Sequence, residues 1–316
     1  MGRATRPGAN TIYKLYNSLL ACSLTTLTPI ARFLSDDQEG FRPGRNTERA
    51  IQTWLHVLED AALTGQDLFV LYTDFSAAFN SIDLDKLLMI MYDSGIPEDA
   101  IEAVRSIYSS VRTCIKTEHG RTQEIPIERG TVQGDTLSPL LFLIFIDPLL
   151  RWLNVGGRGF QFHSITDPQQ RERFSVAASC YADDLATATT CASDMRIQCE
   201  KIAAYAAWGG MGVNVEKCAV SVILHGQART DSSLGHPTSK AYQKRARQLA
   251  DGKFMIDTKA IPFLLPTQAY KYLGVHITLT LDWKEQFQVL RKNIETLSDN
   301  ITASVATPDQ KLRMIK

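Results

Sequence analysis

Charge of one sign is what this chain lacks most plainly. Across 316 residues Lys and Arg total 34, Asp and Glu total 34, and the formal net charge is zero. A uniformly basic surface for gripping phosphates is thereby excluded, and any such surface must be a local stripe. Cysteine is sparse as well. Cys22, Cys114, Cys180, Cys191, Cys199 and Cys218 form no Cys-x-x-Cys pair and no His/Cys cluster, which argues against zinc and for buried thiols in a reducing compartment. The longest apolar run, Leu137–Leu150, is broken by Ser138, Pro139, Asp147 and Pro148 and is too short to span a bilayer. Met1-Gly-Arg-Ala-Thr-Arg-Pro7 lacks the apolar core of a secretory signal, so the sequon Asn300-Ile-Thr302 reads as chance. No internal repeat is visible. What remains is an ordinary globular composition, 44% hydrophobic and 22% charged, in a chain long enough for a sizeable core and two lobes.

Against that background Tyr181-Ala-Asp-Asp184 stands out, because β-prone runs, Phe174–Cys180 and Leu185–Thr190, flank it on both sides. Adjacent acids at a hairpin tip repel and raise one another's pKa, and a bound divalent cation removes that cost. A third acid, Asp74, ends the run Asp67-Leu-Phe-Val-Leu-Tyr-Thr-Asp74, whose apolar stretch Leu68–Thr73 reads as a buried strand. Helical spacing is expected over Asn10–Thr25, Thr47–Leu63 (closed by Gly65), Leu84–Ser94, Pro97–Ser110, Leu137–Leu153, Asp194–Trp208 (capped by Ser193) and Trp283–Ser298. Val111–Thr117 and Gln123–Glu128 suggest a hairpin around His119-Gly120. Val215–Leu224 and Tyr270–Thr278 read as strands, with a polar insertion over about 226–260 between them. This order predicts an α+β fold, a mixed or antiparallel sheet with helices on one face and Asp74 beside the 183/184 hairpin.

Three carboxylates on neighbouring strands can hold two Mg²⁺ ions about 3.5–4 Å apart for in-line phosphoryl transfer, and oxygen ligands without His or Cys suit that ion. At this point the chain resembles the reverse transcriptase palm, most closely that of non-LTR (LINE-type) retrotransposons, related to group II intron enzymes. Five blocks carry the resemblance in order: Asp74-Phe-Ser-Ala-Ala-Phe79, Gly130-Thr-Val-Gln-Gly-Asp-Thr-Leu-Ser-Pro139, Tyr181-Ala-Asp-Asp184, Gly212-Val-Asn-Val-Glu-Lys217-Cys218 and Tyr272-Leu-Gly-Val275. Upstream, Arg6-Pro7 and Gln38-Glu-Gly-Phe-Arg-Pro-Gly-Arg45 resemble fingers segments.

The resemblance implies an RNA-directed DNA polymerase with a right-hand palm, partial fingers and the start of a thumb. Its boundaries are 1–66 for partial fingers, 67–110 for palm, 111–130 for a fingers/palm hairpin, 131–283 for palm and 284–316 for the start of a thumb. Asp74, Asp183 and Asp184, with a backbone carbonyl near Phe75, would carry two Mg²⁺ (Mn²⁺ substituting). Phe79 would sit beneath the sugar and exclude a 2′-hydroxyl, while Gln133, Gly134, Ala78, Tyr181 and Arg6 would shape the nucleotide pocket and Lys217 would donate a proton to pyrophosphate. The implied partners are an RNA template, a DNA primer and dNTPs, with no membrane; localisation would be intracellular, in nucleus and cytoplasm for a eukaryotic element. Further domains of a larger polyprotein are expected outside this chain.

Plainer readings stand beside these. The paired acids could be a solvated turn, Asp74 a cap, Phe79 core, Gln133 a cap for the long helix and Lys217 a surface lysine. Arg42 and Arg45 fit either template phosphates or a solvated loop, and the cluster Lys240 to Lys253 reads first as a solvated face. The rival functions are a group II intron-type maturase polymerase, and a truncated or domesticated palm that binds nucleic acid or a partner without catalysis.

Overall fold

The structure is a computed structural model that describes residues 4–5, 11–26, 34–109, 112–118, 120–126, 129–131, 135–162, 175–304, 307 and 310. The principal helices are α1 (Thr11–Thr26), α2 (Thr47–Thr64), α3 (Leu84–Asp93), α4 (Glu98–Ser109), α5 (Ser138–Asn154), α6 (Ala192–Gly209), α7 (Lys240–Ala250) and α8 (Lys284–Ala303). Five strands form the central sheet: β1 (Asp67–Thr73), β2 (Ala178–Tyr181), β3 (Asp184–Thr189), β4 (Ala219–Leu224) and β5 (Phe263–Leu264).

The sheet runs β5-β4-β1-β3-β2, antiparallel throughout except for the parallel pair β4/β5. Its centre is β1, whose residues 68–73 are all buried, as a continuous apolar run with neighbours on both sides must be. Side chains alternate across it. Val70 and Tyr72 share a face with Ala186, Ala188 and Ser179, while Phe69, Leu71 and Thr73 point the other way. On the first face α2 inserts Trp54, fully buried, whose indole N–H donates to the Tyr72 hydroxyl at 3.1 Å. On the second, Phe69 meets Phe254 and α6 packs across β3 and β1. Helices therefore cover both faces of the sheet, not one as expected, because both faces of its central strand are apolar.

Local signals explain most boundaries. Asn46 accepts from the Arg49 amide to start α2, and Gly65 (φ 74°) ends it by donating to Ala61 O. Asp83 caps α3 through the Lys86 amide. Helix α5 is buried nearly all round, as its composition requires.

Three expectations about element boundaries need correction, and a fourth segment gains detail. Ser193 lies inside α6, which opens at Ala192 from the extended residue Cys191 with no side-chain cap. The strand expected from Val215 begins only at Ala219, because the Lys217 and Cys218 amides both bond back to Asn214 O and close a turn. Tyr270–Thr278 splits into a hairpin, β6 (Tyr270–Tyr272) and β7 (Val275–Ile277), around Leu273 (φ 49°) and Gly274 (φ 86°), the backbone pattern of a tight two-residue turn. The polar 226–260 segment is structured: a short helix His225–Thr230, then α7 burying Tyr242, Ala246 and Ala250, then a hairpin of Met255–Ile256 with Lys259–Ala260. The hairpin expected near His119-Gly120 is present, Arg112–Thr117 pairing with Gly120–Arg121 and Ile125–Pro126, and also with Ala4–Thr5. Helix α8 buries none of its described side chains and is tethered where Gln286 and Glu285 bond the His276 backbone and ring.

Candidate functional site

Register brings the acids together. Thr73 pairs with Leu185, so Asp74, one residue further, lies beside Asp184. Tyr181 pairs with Asp184 and leaves Ala182-Asp183 as a two-residue turn between β2 and β3. The first turn residue, Ala182, has φ 57°, a conformation in which glycine is the usual occupant. Burial raises the pKa of half-buried Asp183, and the charge of Asp74 raises it further against a partial opposing effect from its own backbone amide. Asp184, at the exposed side of the turn, is raised by loss of solvent and then by Asp183 and Asp74.

Among the described residues no three acid, His or Cys side chains stand close enough to close around an ion. The donor set nonetheless fits a hard divalent cation by its chemistry: three carboxylates, two of them held against their own charge, with oxygen the only donor element. Phe75, proposed as a backbone ligand, has a buried side chain and pairs with Val213 in a two-residue ladder; next to it, Asp74 O accepts from the Asn214 amide at 2.8 Å.

The floor of the site comes from the Asp74 block. Ala77 (φ 50°) turns the chain into the short helix Ala78–Ser81, with Ala78 buried and Phe79 half-buried and stacked on Phe142 at 4.5 Å. Thr131 donates its amide to Phe79 O, and Gly130 donates to Ile82 O. A Cβ on Gly130 (φ 85°) would stand 2.6 Å from the Asn80 backbone, so glycine is required for this docking. Gln133 and Gly134, like Arg6, lie outside the described residues. Helix α5 opens from Leu137 with no side-chain cap; just upstream, Asp135 accepts the Leu137 amide, the Asn17 amide side chain and the Tyr108 hydroxyl.

Lys217 is exposed on the turn that hangs from Asp74, its carbonyl accepting from the Tyr270 hydroxyl. The Cys218 thiol accepts from the Asp74 amide at 3.4 Å and donates to Asn214 O. Tyr270, which sequence reasoning missed, stacks on Tyr72 at 4.0 Å; burial, then Cys218, Asp74 and Asp184, push its phenol up to about 12. The Tyr272 block is placed beside the acid hairpin, since the Tyr272 hydroxyl donates to Ser179 O on β2.

Sequence reasoning also missed the part played by Gln38. Its side chain, 1% exposed, accepts the Ala182 amide at 2.8 Å and donates to Ala182 O at 3.2 Å. Arg42 and Arg45 serve the same loop: Arg42 donates to Ser35 O and Gln38 O, and Arg45 to Asp36, Glu39 and the Gln38 carbonyl. They stabilise a turn rather than presenting two open cations to a phosphate. In the basic cluster, Arg245 bonds Gln227, and Arg247 pairs with Asp251 and lies over the Phe263 ring, which fits the plainer reading of those two.

A sheet of this topology, with paired acids on a hairpin beside a third acid at the end of the central strand, is a polymerase palm. The chain belongs to the reverse transcriptase (RNA-dependent DNA polymerase) family, whose pattern it matches over residues 2–277. It is 27% identical over 261 residues to the retrovirus-related Pol polyprotein of the R2 retrotransposable element of Popillia japonica, covering 83% of this chain and 38% of that protein. It is 26% identical over 214 residues to the corresponding R2DM polyprotein of Drosophila melanogaster, covering 67% of this chain and 18% of that protein. A 115 kDa protein of the Drosophila R1DM element is 33% identical over 37% of this chain and 11% of its own length. The chain thus spans well under half the length of these relatives. The retrotransposon character expected from the motifs is borne out. Reverse transcriptases as a family use divalent metal ions, and among the described residues no helix is long and apolar enough to cross a membrane.

Proposed function

We propose that this chain is the palm, with partial fingers, of an RNA-directed DNA polymerase from a non-LTR retrotransposon, adding dNTPs to a DNA primer on an RNA template. One observation carries the reading: Asp74, Asp183 and Asp184 lie at the ends of adjacent strands, and the charge of Asp74 disfavours the charged forms of both Asp183 and Asp184. Such an arrangement costs stability until a cation binds. Two Mg²⁺ held there would supply a lowered pKa at the primer 3′-hydroxyl and charge balance on the leaving pyrophosphate.

The protein's own contribution is placement. Asp74, Asp183 and Asp184, with the Phe75 carbonyl, form the ligand set; Phe79 on its Phe142 support floors the sugar position and disfavours a 2′-hydroxyl. Ala78, Tyr181, Gln133, Gly134 and Arg6 line the nucleotide, and exposed Lys217 donates a proton toward pyrophosphate. Residues 1–66 serve as fingers and 284–316 begin a thumb. The template would be the element's own RNA and the primer nicked chromosomal DNA, which places the reaction in the nucleus after synthesis in the cytoplasm.

The second reading, a palm that binds nucleic acid without catalysis, draws on the acids not being closed around an ion site. Primer extension on an RNA template separates the two. Dependence on Mg²⁺ or Mn²⁺, preference for dNTPs, and loss of incorporation in Asp183→Asn are the expected results. RNA binding with no incorporation under either metal would support the second reading instead. Phe79→Ala is expected to raise rNTP use relative to dNTP by about tenfold, the scale of a lost steric discrimination in an apolar pocket.

A further inference from the structure

The turn that carries Asp183 and Asp184 is not held by its own hairpin alone. Its hinge residue, Ala182, sits in the left-handed region, which is unfavourable for a residue with a Cβ unless the surroundings enforce it. The enforcement comes from a segment 144 residues away in sequence. Cys180 donates its amide to Asp37 O and accepts from the Glu39 amide, so residues 37–39 add a one-residue parallel strand to the outer edge of β2. Between those two bonds the Gln38 side chain turns inward and takes both backbone groups of Ala182. The same Gln38 Oε1 also accepts the Gly40 amide at 2.8 Å. Gly40 is packed so closely that a Cβ there would lie 2.4 Å from the Ala182 nitrogen. Phe41 follows at once (φ 52°), its ring 6.2 Å from Phe79 and 6.3 Å from Tyr181.

We propose that Gln38 is a positioning residue for the acid pair: by clamping Ala182 through both its amide and its carbonyl, it fixes where Asp183 and Asp184 can point. Through Gly40 and Phe41 the same segment ties the turn to the floor under the nucleotide. A side-chain amide is suited to the task because it donates and accepts at once without adding charge beside two carboxylates. A carboxylate could accept but not donate, and an apolar isostere could do neither. The inference rests on the polymerase reading only for its kinetic consequence; the clamp's effect on cation binding stands apart from it.

The test uses the full chain and four variants: Gln38→Met, which keeps volume and loses both bonds; Gln38→Glu, which keeps only the acceptor; Gly40→Ala, which pushes Ala182 away sterically; and Asp183→Asn as reference. Mn²⁺ affinity is measured by electron paramagnetic resonance and amide exchange at Ala182 and Asp183 by NMR, beside single-nucleotide extension split into kcat and KM. Gln38→Met and Gly40→Ala are expected to weaken Mn²⁺ binding and speed Ala182 exchange by about tenfold, as loss of a buried hydrogen-bonded restraint should. Their kcat falls by a like factor; in Gln38→Met, which leaves Gly40 and Phe41 in place, KM for dNTP stays within about twofold. Gln38→Glu, which keeps the acceptor but sets a carboxylate against the Ala182 carbonyl and beside the acid pair, is expected to lose kcat at least as far as Gln38→Met, and it carries the test if the other two fail to fold.

Wild-type Mn²⁺ affinity and Ala182 exchange in Gln38→Met would overturn the proposal, as would a fall in thermal stability with no change in either. A wild-type chain that binds Mn²⁺ but extends no primer would refute the polymerase reading and leave Gln38 to be judged on affinity and exchange. A wild type that binds no Mn²⁺ would overturn both.

Discussion

Two sets of acids in this molecule have been treated in opposite ways. At the back of the palm, Asp147 on α5 is 1% exposed, accepts the Ser35 amide and pairs with Arg151. Asp135 accepts from Asn17, Tyr108 and Leu137, and Asp67 from Gly226 and from both the backbone and the side chain of Gln227. These acids are completed by donors from the chain itself and hold elements together. Asp183 and Asp184 lie beside Asp74; burial raises the pKa of both, the charge of Asp74 adds to each, and the charge of Asp183 adds to Asp184. The difference separates acids that belong to the fold from acids that await something from outside it. Buried charge left to repel is costly, and it persists where a ligand repays it.

The comparison breaks most sharply under single substitutions. Asp183→Asn is expected to cost at least about a thousandfold in primer extension, from the several kcal/mol a metal-bound oxygen contributes in the transition state, with folding intact. Asp147→Ala should do the reverse. It removes the acceptor of the Ser35 amide and the carboxylate that pairs with Arg151, and it lowers unfolding free energy by about 1–3 kcal/mol, read by urea titration, while leaving metal affinity unchanged. Equal effects of the two variants on stability would erase the distinction.

A smaller effect tests the repulsion directly. A carboxyl whose pKa is raised by folding keeps its proton in the folded chain at pH values where the unfolded chain has released it. Stability without divalent cations therefore falls as pH rises above the ordinary value of 3.8. Burial also raises Asp37 and Asp147 and adds a slope of the same sign, so the diagnostic quantity is the difference between wild type and Asp184→Asn. The variant should have the shallower slope and, at pH 7 without metal, a melting point about 1–2 °C higher. Adding Mn²⁺ should raise the wild-type melting point more than the variant's, closing that gap. A variant less stable than the wild type at neutral pH without metal would show that the acids are already compensated.

Much of this was legible in the sequence, and for identifiable reasons. Strand β1 announced itself because both its faces are buried, and α2 because Asn46 and Gly65 mark its ends. The blocks that carry the family resemblance were legible because their pattern is local, a few acids and aromatics at fixed spacing. What escaped was long-range or ambiguous at the level of periodicity. Tyr270–Ile277 alternates like one strand, and only the left-handed backbone at Leu273-Gly274 reveals two. Helix α7 hides because two of its three buried residues are alanines in a strongly polar stretch. Cys191 starts α6 without a capping bond, so the neighbouring serine was the better candidate on side-chain chemistry alone. The work of Gln38 could not be read from its surroundings, since its partner is 144 residues away. Arg42 and Arg45 looked like open cations because the carbonyls that occupy them belong to a loop whose path only the fold determines.

One further consequence lies in the sulfur beneath the acid hairpin. Cys180 is wholly enclosed, its thiol donates to Ala182 O, and burial pushes its ionisation far above the ordinary thiol range. A thiolate that cannot form while the turn is closed cannot be alkylated. The rate at which this one sulfur takes up a reagent is therefore set by how often the turn lifts, which gives the hairpin a built-in clock, audible without a substrate, a metal or a label placed by design.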